Sequence, residues 1–171
     1  CLAVTDNPKS VATTYTLTGS FTAKVIAERG AAPPAEDRVS ITLSDRPDLI
    51  VQSLTFSPLS PVPGNSITLS GTVKNQGTVS AGPSSTRLRI DINNNGTWDV
   101  LPANMSTGAL AVNATEIETW SNVWTTTIGT HKFEICADVA GAVAESNENN
   151  NCESRIFGVV ALPIWKEIPP S

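Results

Sequence analysis

The chain has 171 residues, of which 16% are charged, and a formal net charge of −5; that is room for one ordinary domain and part of a second, with fewer charges than the roughly 25% usual in soluble globular proteins. Eleven scattered Lys and Arg in an acidic chain exclude a nucleic-acid partner, because phosphate binding rests on clustered cations. No apolar run approaches the roughly 20 residues that span a bilayer, so no membrane insertion is expected, and with no charged-then-apolar leader at the start any export signal is expected upstream or already removed.

Helical periodicity is nearly absent; period-two alternation broken by turn residues dominates. Phe21, Ala23, Val25 and Ala27 alternate in a first strand, and Val39, Ile41 and Leu43 in a second, after the loop from Gly30 to Pro34. Ser44-Asp45-Arg46-Pro47 reads as a linker, since proline removes a ladder donor. Leu49 to Phe56 is the next strand, then a turn from Ser57 to Gly64, then Ile67, Leu69 and Val73 in a strand closed by Asn75-Gln76-Gly77. Leu88, Ile90 and Ile92 point one way, and Arg87, Arg89 and Asp91 the other. Asn94-Asn95-Gly96 predicts a hairpin whose second arm carries Trp98 and Val100. Glu116 to Thr126 carries Trp120 and Trp124, four apart and so on one face of an unbroken strand. Phe133, Ile135, Ala137 and Val139 alternate next, and Arg155 to Val160 close the series. Seven or so strands in about 110 residues is the count of an immunoglobulin-like sandwich. The expected fold class is all-β: an immunoglobulin-like antiparallel β-sandwich preceded by a partial second β-sandwich. Residues 161–171, with Pro163, Pro169 and Pro170, read as a Pro-rich linker or tail.

Four separated motifs in order carry a resemblance: Pro47-Asp48-Leu49-Ile50-Val51, the stretch from Gly71 to Gly77 with Asn75 before its final turn, Gly129-Thr130-His131-Lys132-Phe133, and Asp138 followed by Val143, Glu145, Asn147, Glu148, Asn150 and Asn151. On these, residues 47–160 resemble CARDB, the cell-adhesion-related domain of bacteria and archaea. One motif, running from Tyr15 through Gly19 and Phe21 to Val25, makes residues 1–44 similar to the last strands of a PKD-type domain, with Phe21 where that family usually has Tyr. The resemblances imply an incomplete PKD-like unit plus linker over residues 1–46 and a CARDB-like domain over 47–160. Three short strands leave an edge and an apolar face to be covered by missing chain, a neighbour or the adjacent module.

Cys136 and Cys152 flank a stretch that reads as a hairpin with its turn midway between them, which brings them within reach of a cross-strand disulfide, with two free thiols as the alternative. Cys1 is left over and expects a partner elsewhere. The segment Asp91-Ile92-Asn93-Asn94-Asn95-Gly96-Thr97-Trp98-Asp99 places oxygen side chains at alternate positions around a glycine, the pattern of a calcium loop. Asp91, Asn93, Asn95, Asp99 and the Thr97 carbonyl are the candidate ligands, although Pro102 stands where a bidentate Glu would close the loop; a plain Asn-Gly hairpin is the alternative. Asp138, Glu145 and Glu148 shape a turn or form a second metal site. Trp98, Trp120 and Trp124 are core rings or a sugar-stacking platform. His131, with no nucleophile motif near it, reads as structural. Asn95, Asn104 and Asn113 begin glycosylation sequons, at a frequency this composition produces by chance. No nucleotide loop or nucleophile elbow appears, and the chain is expected not to be an enzyme.

The resulting expectation is a non-catalytic extracellular adhesion, spacer or assembly module of a multidomain surface protein. Its partners would be adjacent domains of the same or a neighbouring chain, or a surface glycan or protein ligand. The alternatives are a carbohydrate-binding accessory module of a secreted hydrolase, favoured by exposed coplanar tryptophans, and a filament subunit assembled by strand sharing across the edges of residues 1–44.

Overall fold

The alternating stretches pair into antiparallel ladders because each has one apolar and one polar face, and only pairing satisfies its backbone polar groups. The structure, a computed structural model, describes residues 19–27 and 34–161; Cys1, the start of the PKD-like motif at Tyr15 and the prolines of the tail lie outside them. The chain divides into two units, Cys1–Asp45 and Arg46–Ser171. In the first, β1 (Gly19–Ala27) and β2 (Ala35–Leu43) form a two-stranded antiparallel ribbon. Val25 and Val39 are exposed on it, and Glu36 bridges Lys24 and Arg38, which stand opposite each other.

The second unit is a sandwich of two antiparallel sheets. One has the order β3 (Leu49–Ser57), β4 (Ser66–Asn75), β7 (Thr115–Thr125); the other has β6 (Met105–Thr107), β5 (Ser84–Asp91), β8 (Gly129–Cys136), β9 (Cys152–Val159). No helix occurs among the described residues. Leu49, Val51, Leu54, Phe56, Ile67, Leu69 and Val73 face Leu88, Ile90, Phe133, Ile135, Phe157 and Val159 across the core. Phe56 stacks on Phe157 at 4.8 Å and meets Phe133 edge-on at 6.4 Å. Gly71 gives Ile135 room: a Cβ there would stand 2.8 Å from the Ile135 Cδ1.

Two bulges set which faces point inward. In β3 the register shifts by one residue between Val51 and Ser53, so Val51 and Leu54 both turn inward where strict alternation would have buried Ser53. In β7, Leu69 pairs with Trp120 and Ile67 with Trp124, so two extra residues lie between the tryptophans, and Asn122 there has a φ of 54°. An even insertion preserves parity. Trp120 and Trp124 do share a face, although the strand expected to be unbroken is bulged.

The expected strand at Trp98–Val100 is a single bridge, Val100 to Ile90, because the loop ahead of it folds back toward β5. The β5 edge is instead completed further on by the short β6, whose hydroxyl-rich sequence gave no apolar signal. At this corner of the sandwich the carboxylates of β7 close the gap: Glu116 accepts the Gly108 N–H at 2.8 Å, and Glu118 accepts the Thr107 hydroxyl at 2.8 Å. Burial raises the Glu118 carboxyl above its ordinary value, against the Thr107 bond, with Glu116 adding to the rise. At the opposite corner Arg155 donates to the Leu54 carbonyl at 3.0 Å and lies over the Phe56 ring. β3 starts beside the β8–β9 loop and β9 issues from that loop. Both therefore run from the same pole, and the chain enters the sandwich at one pole and leaves it at the other.

Candidate functional site

Asp91 lies on the polar side of β5, yet is only 1% exposed, because the loop Ile92–Gly96 wraps its carboxylate. Its Oδ1 accepts the N–H groups of Asn93 (3.3 Å) and Asn95 (3.1 Å), and its Oδ2 that of Gly96 at 2.7 Å. Asn93 Oδ1 accepts the Asn95 N–H, Asn95 Oδ1 the Thr97 N–H, and Asp99 Oδ2 the Ile92 N–H at 2.8 Å. Asn94 and Gly96 supply the positive φ values, 52° and 91°, that the reversal needs. Burial pushes the Asp91 carboxyl up, but the donors Gly96, Asn95, Asn93 and Asn94 together outweigh it, and the net shift is below the ordinary carboxylate range. The all-oxygen donor set fits a hard cation such as calcium: Asp91 Oδ2, Asn93 Oδ1, Asn95 Oδ1 and Asp99 Oδ2 each accept a single N–H and keep a lone pair, while Asp91 Oδ1 accepts two. The same oxygens already satisfy the loop's own N–H groups, so the fold of the loop stands without an ion.

The β8–β9 loop is built around the other acidic residues. Asp138 ends β8 with a φ of 42° and accepts the Ala142 and Val143 N–H groups. Glu148 accepts the Glu145 N–H at 2.7 Å, and Glu145 reaches across to accept the Leu49 N–H at 2.5 Å and the Asn151 amide at 2.8 Å. These bonds give Asp138, Glu145 and Glu148 the turn-shaping role. Opposite them, Asn75 is fully buried and makes four bonds: its Oδ1 accepts from Asp48 and Gly77, and its Nδ2 donates to Val79 and Leu110. Gly77 presses against the incoming chain so closely that a Cβ would lie 2.5 Å from the Arg46 carbonyl oxygen and the Asp48 nitrogen. Arg46 to Asp48 is thereby held from two sides. Sequence reasoning placed Asn75 and Glu145 in turns but missed that both tie down this one segment; the signal available was the family motif, which carries no partner information.

Cys136 and Cys152 stand directly opposite at the end of the β8–β9 ladder and are joined by a disulfide. Among the described residues the one trio of metal-type side chains in reach of one another is Glu134, Cys136 and Cys152, and the bonded sulfurs leave no thiolate for a metal. Beside the disulfide is a shallow cleft of about 200 Å³ lined also by Arg87, Asp138, Val139, Glu148 and Asn151, smaller than ordinary small-molecule sites. Trp120 is 3% exposed and its indole N–H donates to the Ala103 carbonyl at 2.9 Å. Trp124 packs against His131 at 4.6 Å, and the Trp98 ring carries the Arg89 guanidinium at 4.4 Å and the Lys132 ammonium at 5.4 Å. The three rings form no exposed coplanar platform. His131 is buried with its two ring nitrogens against the Ile92 and Thr127 carbonyls at 2.6 and 2.8 Å, a structural tie between two loops.

These features define a seven-stranded antiparallel sandwich module, chained at opposite poles, whose polar loops are spent on holding its own backbone. Residues 46–155 match the CARDB family, and the chain belongs to it. CARDB domains are generally non-catalytic modules. Among solved structures the chain is similar to the CARDB domain of a Pyrococcus furiosus protein crystallised in complex with di-metal ions, at 26% identity and a TM-score of 0.54 over 71% of this chain and 100% of that one. It is also similar to that domain's solution structure, at 27% identity and a TM-score of 0.52 over 68% of this chain and 98% of that one. A Methanosarcina acetivorans domain, from a protein provisionally assigned to the cell surface, shares the fold at 22% identity and a TM-score of 0.52, over 67% of this chain and 93% of that one. No curated protein matches the chain. No described helix is long and apolar enough to cross a membrane.

Proposed function

We propose that this chain is a non-catalytic extracellular adhesion, spacer or assembly module of a multidomain surface protein, working through adjacent domains. The observation that carries the reading is the run of β3 and β9 from one pole to the other, which lets modules be strung end to end without folding back. The cell-surface assignment of the Methanosarcina relative supports the location. Residues 1–46 are, on this reading, the closing strands and linker of a PKD-like domain. Strands of nine to eleven residues give a long axis of about 35 Å at roughly 3.3 Å per residue. A tandem of two copies of residues 45–160, with Asp45–Asp48 of the second copy at the junction, should show a maximum dimension in small-angle scattering of about 70 Å. A tandem compacted to little more than one module length would refute the spacer reading.

Asp91, Asn93, Asn95, Asp99 and the Thr97 carbonyl are the residues that would hold calcium, and the di-metal complex of the Pyrococcus domain supports cation binding by a module of this kind. With only two carboxylates the affinity would be weak, a dissociation constant of roughly 0.1–1 mM as in other extracellular modules. At tenfold excess over that value calcium would stabilise the fold by about 1.4 kcal/mol, raising the melting temperature several degrees over chelator. Asp99→Asn keeps an acceptor for the Ile92 N–H and removes one charge, so it should abolish the calcium shift while leaving the melt in chelator nearly unchanged. A wild-type melt that calcium does not move would reduce the segment to a hairpin loop.

A further inference from the structure

Glu145 is a carboxylate buried without a cation. It is 3% exposed, and its two side-chain partners, the Leu49 N–H and the Asn151 amide, are neutral. Asp138 and Glu148, on its own loop, repel its charge. Arg46, on the incoming segment, donates to the Glu145 carbonyl at 3.4 Å rather than to its carboxylate. Asp48 is occupied by Gln76 and Asn150, and Arg87 of β5 lines the cleft that Asp138, Glu148 and Asn151 share.

The loop that carries Glu145 is also one of the two hands on the incoming segment. Ser146 donates to the Pro47 carbonyl at 2.9 Å, Asn150 to the Asp48 carboxylate at 2.9 Å, and the Leu49 N–H to Glu145 itself. Closing the loop on that segment therefore strips water from Glu145 while two anions of its own loop stand near it, so closure and ionisation oppose each other. The neutral form has a place to put its proton: Asn151 Oδ1 is buried with no partner, and turning that amide over lets the Glu145 hydroxyl donate to it while Oε2 still accepts the Leu49 N–H.

We propose that Glu145 is a proton-operated latch, by which the β8–β9 loop grips Arg46–Leu49 when Glu145 is neutral and loosens when it ionises. Burial raises the carboxyl to about 7 from its ordinary 4.5, against the Leu49 and Asn151 bonds, with Glu148 and Asp138 adding to the rise. The sign follows by linkage. The gripped state binds the proton more tightly than the open, hydrated state, so its advantage is complete below about 4.5 and is lost as pH rises through about 7.

Amide exchange of the 171-residue chain, corrected for the intrinsic pH dependence of exchange, tests this. Protection at Leu49 and Ser146, taken relative to Phe133 in the middle of β8, should fall at least ~10-fold between about pH 5 and 8. In Glu145→Gln the ratio should stay flat. A flat ratio in the wild type, or a fall that persists in Glu145→Gln, overturns the latch. Should Glu145→Gln fail to fold, carboxyl-carbon titration of wild-type Glu145 decides: a midpoint near 7 supports the latch, and one near the ordinary 4.5 overturns it.

Discussion

Replacing Asn75 with Ala is expected to destabilise the sandwich by about 4 kcal/mol, a large fraction of the 5–15 kcal/mol that holds an ordinary domain together. The side chain is 0% exposed, and its loss would remove a bond from four backbone groups at once: the part-buried N–H groups of Asp48 and Gly77, the Val79 carbonyl, and the Leu110 carbonyl, which keeps only the Ala81 N–H. Asn75→Asp should be at least as damaging, because it retains the acceptor but turns a second, charged oxygen toward the Val79 and Leu110 carbonyls. Urea unfolding should show the midpoint falling with little change in slope. A loss under about 1 kcal/mol for Asn75→Ala would mean that the β4–β5 turn is held by its backbone bonds, Gln76 N–H to Asp48 and Thr78 N–H to Arg46, and that the Asn75 network is dispensable.

Reduction of the Cys136–Cys152 bond, or its replacement by paired Ala, is expected to cost about 3 kcal/mol, the chain-entropy value for a loop of about 15 residues. The two cysteines are 16 apart in sequence and close the long β8–β9 connection onto an edge strand. The native loop has its own network through Asp138, Glu145 and Asn151, so the cross-link acts mainly by restricting the unfolded chain, and the reduced protein should keep its fold at room temperature. Thiol titration of the unfolded, unreduced chain should find Cys1 as the single free thiol. Equal stability of oxidised and reduced protein would show that the loop network alone confines this segment.

Much of the architecture was legible because it rests on local chemistry. The alternation of Leu88 with Arg89 and Ile90, or of Phe133 with Ile135, specifies a strand and its buried face wherever the partner lies. Glycine and asparagine at positions 94–96 specify a reversal because few other residues tolerate its backbone. The cysteine pairing was legible for the same reason: a hairpin places residues equidistant from its turn opposite each other.

What the tertiary structure alone decided were matters of register and of partners distant in sequence. Alternation within Leu49–Phe56 does not reveal that an extra residue after Val51 turns Leu54 inward, since the bulge answers to the pairing with β4. The Trp98–Val100 arm reads as a strand locally, but the carboxylate of Asp91 gathers the preceding loop and leaves one bridge. The roles of Asn75 and Glu145 depend on groups 27 and 96 residues away in sequence, the Asp48 and Leu49 amides. A hydrogen bond of that span leaves no periodicity in the chain: each residue reads as a polar turn former, and only the close approach of two loops to one incoming segment turns it into an anchor.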